Sequence, residues 1–496
     1  MRKSGILMHI TSLPGPWGVG TMGKQAFAFV DFLKSAGQRY WQILPLTPTG
    51  YGDSPYQSCS TFAGNPYLID LDSLVEEGLL EKHELETFDW GNREDRTDFD
   101  ALYRNKLAAL KLACGRFEGG EAFDSFCREN GSWLPDYSLY MALKSKFSGS
   151  PWYKWEHKLK FRDPSAIWQA RRELRDDIRF HCFVQYLFCR QWSALRSYAH
   201  DNGIRIIGDV PIYVPYDSVD VWSDPEYFQL DAELAPEAVA GCPPDAFTED
   251  GQLWGNPLYR WDRIAQEGYG WWIRRLGAAG KLYDVVRLDH FRGLEAYWSV
   301  PYGDETARGG KWVKGPGMDF IRAIHAQLPA LELIAEDLGF LTQEVRDLLA
   351  EAGYPGMKVL GFAFDSREPS AYLPHNCCQN SVCYTATHDN MTTRQWFETA
   401  SADAVNYAKE YMHLTEEEGF VWGTIRSAFS TVSKLCIIPM QDYLELGAEA
   451  RMNFPGTQTG DNWVWRAKPD CMQPRLAQRI LAMTELYGRL GKAVKY

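Results

Sequence analysis

Eight short apolar runs, rich in β-branched or aromatic residues, punctuate the chain at 6–10, 40–44, 204–210, 285–288, 331–335, 357–364, 382–387 and 435–440. Runs of this length bounded by turn residues read as strands buried on both faces. Several are followed by polar turn residues and then by apolar positions at helical spacing. Residues 23–36, with Phe27, Val30, Phe32 and Leu33, and residues 342–352, with Val345, Leu348 and Leu349, show the pattern. Strand and helix in alternation predict an α/β protein with parallel strands, and eight such units predict a closed (β/α)₈ TIM barrel.

A barrel takes about 250 residues, so about half of the 496 residues lie elsewhere. The spacing of the runs assigns residues 1–50, 195–240 and 280–496 to the barrel. Residues 51–194 form an insertion between strands 2 and 3, with helical stretches at 103–114, 137–146 and 166–200, the last leading back into the barrel. Residues 241–279 form a second insertion between strands 3 and 4, opening with the Pro/Gly-rich segment GCPPDAFTEDGQLWGNPLY (241–259). Residues 391–431 make a rim excursion after strand 7, whose acidic residues 416–418 read as a solvated face. The inserted subdomains are expected to be mainly helical.

Composition narrows the function. With 52 basic and 65 acidic residues the net charge is −13, which repels a phosphate backbone and argues against nucleic acid as a partner. The longest apolar runs, five residues at 26–30 and 139–143, fall far short of the roughly 20 needed to span a bilayer. Arg2 and Lys3 precede an apolar stretch too short for a secretory signal, so a cytoplasmic protein is expected. Eleven cysteines without a CxxC pair suggest neither a disulfide framework nor a thiolate zinc site. The 19 Trp, 26 Tyr and 25 Phe supply either a large core or flat platforms for amphipathic ligands such as sugars.

In a (β/α)₈ barrel the C-terminal strand ends share one opening, so polar residues that close the apolar runs are the candidates for chemistry. The fourth run ends VRLDHFRG, with Arg287, Asp289, His290 and Arg292; the fifth ends in Glu336 and Asp337; the seventh ends in His388, Asp389 and Asn390. Side chains alternate along a strand, so Arg287 and Asp289 share the inward face. Carboxylates at the ends of adjacent strands, about 4.8 Å apart, suit a retaining pair in which one acid is nucleophile and the other acid/base. Arg287 would hold Asp289 ionised while the crowding of acids favours a proton on Glu336. Taken singly, each acid also reads as a helix N-cap or a surface acid, and His388 as a packing histidine. Three at neighbouring strand ends favour a site. No HxH or HExxH spacing supports a metal, and the glycine segments lack the strand-to-helix context of a phosphate site.

At these residues the chain resembles the amylomaltase or disproportionating-enzyme family, the 4-α-glucanotransferases of the α-amylase clan. The similar segments are HITSLPGPWGVG (9–20), GYGDSPYQSCSTFAGNPYLIDL (50–71), GDVPIYV (208–214), PPDAF (243–247) with GQLWGNPLY (251–259), VRLDHFRG (286–293), IAEDLG (334–339), THDN (387–390) and NWVWR (462–466). The resemblance implies a retaining barrel enzyme without metal or organic cofactor, acting on α-1,4-glucan donors and acceptors such as maltooligosaccharides, amylose and glucose. It implies Asp289 as nucleophile, Glu336 as general acid/base and Asp389 as transition-state stabiliser. Arg287, His388 and Asp209 match residues around the sugar at the cleavage point, Tyr56 its stacking aromatic, and Ser54 a glucan-contacting serine. Tyr51 matches an aromatic in a remote glucan groove. Trp254 and Asn256, with Asp245 and Phe247, match a loop over the site, and Asn453 and Asn462 are weaker acceptor-side matches, the spacing from Asn453 to NWVWR being irregular. Met391 departs from the family pattern, which carries an acid there, and so questions the polar support behind Asp389. The rival readings are a glucan hydrolase with the same acids and a noncatalytic glucan-binding protein, which could dispense with them. Oligomeric state is not legible in the sequence.

Overall fold

The computed structural model describes residues 1–244, 249–339, 341–365, 370–457 and 459–491. Each apolar run forms a strand: β1 Lys3–Leu7, β2 Tyr40–Gln42, β3 Arg205–Val210, β4 Val285–Leu288, β5 Glu332–Ala335, β6 Gly356–Val359, β7 Ser381–Tyr384 and β8 Leu435–Pro439. They pair in parallel in the order β6-β7-β8-β1-β2-β3-β4-β5. Ala335 N–H donates to the carbonyl of Pro355, the residue before β6, at 3.0 Å, and brings the two ends of the ring together. The result is the nearly closed TIM barrel expected.

Six of the eight strands are shorter than the apolar runs that mark them, while β4 matches its run and β1 is shifted to begin three residues earlier. Residues 357–364 leave the sheet at Val359 and continue as the 3₁₀ turn Leu360–Phe362, because an apolar run records burial and not hydrogen-bond pattern. Helix α1, Lys24–Ser35, shows how the barrel is clad: Ala26, Phe29, Val30 and Leu33, at i, i+3, i+4 and i+7, are all fully buried, giving one apolar stripe against the strands. The predicted stretch 166–200 is two helices, Pro164–Glu173 and α2, Arg175–Asp201, meeting at Leu174. Only Ala170 of the first is buried, whereas α2 buries a face that includes Phe180, Phe183, Val184, Leu187 and Leu195, so the two answer to different packing. Between β5 and β6, α3, Gln343–Ala352, ends at Gly353 with φ 71°, a left-handed stop that glycine adopts without steric cost.

On the rim, the structure adds an antiparallel sheet to the helices the sequence suggested. Its order is Gln252–Pro257, Ala238–Cys242, Ala296–Pro301, Lys311–Lys314. Gly251, at φ 69°, turns the chain into the first of these strands, and a Cβ there would lie 2.4 Å from the Cys242 carbonyl oxygen. Within the excursion after β7, Glu418 is not merely solvated: it is half-buried and pairs with Arg426 at 2.9 Å.

Candidate active site

The register of β4 and β5, with Leu288 opposite Ala335, leaves Asp289 and Glu336 one residue beyond the ends of adjacent strands. Asp289 N–H continues the ladder to the Val210 carbonyl and Glu336 N–H to that of Leu288, each at 3.0 Å. Inside the mouth, Arg287 stands opposite Asp209 in register. Its Nη1 lies 2.5 Å from Asp209 Oδ2 and 2.9 Å from Asp289 Oδ1, while Nε reaches across to Met357 Sδ on β6 at 3.4 Å. A buried guanidinium is tolerable only when so paired.

Glu336 is held by the backbone. His290 N–H donates to Oε2 at 2.8 Å and Leu338 N–H to Oε1 at 2.7 Å. His290 can aim its amide there because it adopts φ 52° at the turn leaving β4, a left-handed conformation uncommon outside glycine. Burial pushes Glu336 up to about 7, with Asp289 adding to the rise and Arg287 and the two amides opposing it. Burial also lifts Asp289, to about 6, against the pull of Arg287, with Asp209 and Asp389 reinforcing the rise. Arg287 does not keep Asp289 at an ordinary carboxylate value, because burial outweighs its pull and Asp209, on the same guanidinium, adds to the rise.

Across the mouth, Asp389 behaves in the opposite way. Burial opposes its charge, yet His388, Asn453 and Arg287 together hold it well below the usual range. His388 Nε2 lies 3.2 Å from its Oδ2, and Asn453 Nδ2 donates to Oδ1 at 2.6 Å. Tyr56, from the loop after β2, joins the two sides: its hydroxyl donates to Asp209 Oδ2 at 2.8 Å and lies 2.8 Å from His388 Nε2. The Tyr56 and His388 rings are nearly parallel, 5.2 Å apart, and Trp463 leans on both. Met391 points outward, 39% exposed, so the departure there leaves the support of Asp389 to Asn453 and to Arg451, which donates to the Asp389 carbonyl at 3.2 Å.

The other expected residues fall at varying distance from this constellation. Ser54 Oγ accepts from Tyr56 N–H at 3.2 Å and shapes the loop carrying it. Asn256 is buried and accepts from Gln57 at 3.4 Å. Trp254, on the rim sheet, meets the His290 ring edge-on at 4.8 Å and so stands beside the Glu336 clamp. Asn462 caps the Phe454 amide at 2.8 Å, a structural contact one step behind Asn453. Asp245 and Phe247 lie outside the described residues, as does the Tyr51 side chain. Sequence reasoning missed Arg451, Trp463 and Asp442, whose buried carboxylate ties Thr385 and Thr393 on either side of the His388–Asp389 loop. Trp463 lay within a noted motif; the other two carried no local signal. Among the described residues no group of three or more His, Cys, Asp or Glu is arranged to hold a metal ion.

Acids of unequal proton affinity at adjacent strand ends are the equipment of barrel enzymes that cut or exchange glycosidic bonds. Comparison with known proteins narrows that class. The 4-alpha-glucanotransferase family pattern matches residues 8–472, and the chain belongs to that family of enzymes. It is 49% identical over 486 residues to a 4-alpha-glucanotransferase of Clostridium butyricum, covering 97% of this chain and all of that one. Against a 4-alpha-glucanotransferase of Thermus thermophilus it is 48% identical over 502 residues, covering 99% of both. The fold matches an amylomaltase from Streptococcus agalactiae in complex with acarbose with a TM-score of 0.96 at 40% identity, over 99% of this chain and 100% of that one.

Proposed function

We propose that this enzyme exchanges α-1,4-glucan segments between maltooligosaccharides or starch-like glucans by double displacement through Asp289. Glu336 protonates the departing glycosidic oxygen as an Asp289 oxygen attacks the anomeric carbon. The reducing-end fragment leaves and a β-linked glucosyl ester remains. Glu336, now ionised, takes the proton from the 4-hydroxyl of an incoming glucan, which attacks the same carbon and frees Asp289. Two inversions restore the α-configuration. Asp389, kept ionised by His388 and Asn453, stabilises the positive charge that develops on the sugar in both steps.

The observation that carries this reading is geometric: Asp289 and Glu336 stand one residue beyond the ends of adjacent paired strands, with Arg287 bonded to Asp289 and two backbone amides clamping Glu336, and burial raises the proton affinity of both acids. The complex of the S. agalactiae amylomaltase with acarbose supports an oligosaccharide ligand for a chain of this fold and family. Free thiols at all eleven cysteines support a reducing, cytoplasmic setting, and no helix among the described residues is long and apolar enough to cross a membrane. Incubation of the pure protein with maltotriose is the test. Glucose plus longer maltodextrins, without a net gain in reducing ends, is the expected result; reducing ends rising with every turnover would make it a hydrolase, and unchanged maltotriose would make it a binding protein.

A further inference from the structure

His9, just past the end of β1, lies under the barrel mouth and enters none of the steps above. His9 and His388 line one cavity of about 20 Å³, together with Ser12, Thr387 and Gln441. Roughly 10–15 Å³ of such space suffices for a water molecule when polar groups surround it. His388 Nδ1 is buried and finds no hydrogen-bond partner among the described residues, an arrangement that native interiors rarely leave unsatisfied.

The neighbours fix where the hydrogens sit. Tyr56 has one hydroxyl hydrogen, and Asp209 Oδ2, 2.8 Å away, can only accept it. The 2.8 Å contact between Tyr56 and His388 Nε2 therefore takes its hydrogen from the imidazole. Asp389 Oδ2, 3.2 Å from the same nitrogen, requires the same. In the tautomer that carries its hydrogen on Nε2, His388 Nδ1 presents a lone pair. His9 is its complement: Nδ1 accepts the Leu44 N–H at 3.2 Å, so the hydrogen of its neutral ring is on Nε2. Burial pushes His9 down to about 3 and keeps that ring uncharged.

The geometry points to a single structural water in this cavity that accepts from His9 Nε2 and donates to His388 Nδ1. His9 is thereby a positioning residue that fixes the tautomer in which His388 Nε2 donates to Tyr56 and Asp389. The water and the tautomer stand on geometry alone; their bearing on transfer rests on the function proposed above. The test combines a high-resolution crystal structure of the full chain with nitrogen NMR of histidine-labelled protein, assigned through His388→Gln. We expect one ordered water within hydrogen-bond distance of both nitrogens, and a His388 ring protonated at Nε2 with a hydrogen-bonded lone pair at Nδ1. His9→Asn keeps an acceptor for Leu44 but has no donor long enough to reach the water. It should shift the Nδ1 resonance and lower kcat roughly three- to tenfold with little change in KM; His9→Gln, whose amide still reaches, should restore both. A dry cavity, a hydrogen on Nδ1, or an Nδ1 resonance unmoved in folded His9→Asn overturns the proposal. The first two readings need no variant to fold. Absence of transfer by the wild-type enzyme would instead sink the functional reading and leave the water site standing.

Discussion

Two aspartates face each other across the barrel mouth and carry opposite displacements. Asp289, beside a guanidinium, is lifted to about 6, whereas Asp389, beside an imidazole and an amide, is held well below the ordinary carboxylate range. The stronger cation does not give the stronger acid. Burial is the largest cause of the rise at Asp289, Asp209 and Asp389 add to it, and Arg287 divides its charge between Asp209 and Asp289. Asp389 instead receives a hydrogen bond from Asn453 at 2.6 Å and the close approach of His388. Proton affinity at this mouth is set by how donors are shared, which is how one residue type serves two roles.

Removing the acid/base is the most severe way to probe the contrast. Glu336→Gln should lower transfer from maltotriose by about 10²–10⁴-fold. Given a glucosyl fluoride, whose leaving group needs little protonation, the same variant should accumulate an adduct on Asp289, while Asp289→Ala should trap nothing. Mass spectrometry of peptic peptides decides between the roles, and an adduct on Glu336 or Asp389 would reassign them.

The other side of the comparison yields to Asn453→Ala. Loss of a hydrogen bond to a charged group should cost transfer about 10–100-fold. Because Asp289, near 6, sets the acid limb, the loss should appear at every pH with that limb unmoved, even as the Asp389 carboxyl rises toward its ordinary value. Unchanged transfer across the pH range would show that Asn453 only packs.

Wild-type pH dependence tests the pair without mutation. Asp289 must be ionised, so activity should fall as pH drops through about 6; Glu336 must be protonated, so it should fall as pH rises through about 7. The expected kcat/KM profile is a narrow bell between these values, changing about tenfold per unit outside it. A plateau reaching down to pH 4 would mean that Asp289 keeps an ordinary carboxylate value and is not lifted by its surroundings.

The smallest effect is expected at the rim. Trp254 covers His290, whose amide clamps Glu336, and Trp254→Ala should raise the share of turnovers ending in water by a few-fold even as total rate falls. The readout is glucose and reducing ends per maltotriose consumed; an unchanged ratio would remove the rim sheet from the control of water.

The barrel was legible because its strands are buried on both faces and so appear as unbroken apolar runs, and Arg287, Asp289, Glu336 and Asp389 were legible because catalytic groups in such barrels close those runs. The rim sheet was not. Its strands are four to six residues long, several of their side chains meet solvent, and Gly241 and Gly255 interrupt the alternation that would have marked them. His9 was hidden from the strand-end rule because it lies inside the first apolar run and reaches the strand end only once β1 is seen to stop at Leu7.

Sequence by itself determined the ring of strands and the acids at its mouth, since burial and strand periodicity are local properties of the chain. Only the tertiary structure decided which partners each acid has. Asn453 and Arg451 reach Asp389 from more than sixty residues away, and Tyr56 reaches Asp209 from 153 positions earlier in the chain. The sharing of Arg287 among carboxylates from two strands exists only once the barrel is formed, because electrostatic coupling depends on distance in space and not along the chain.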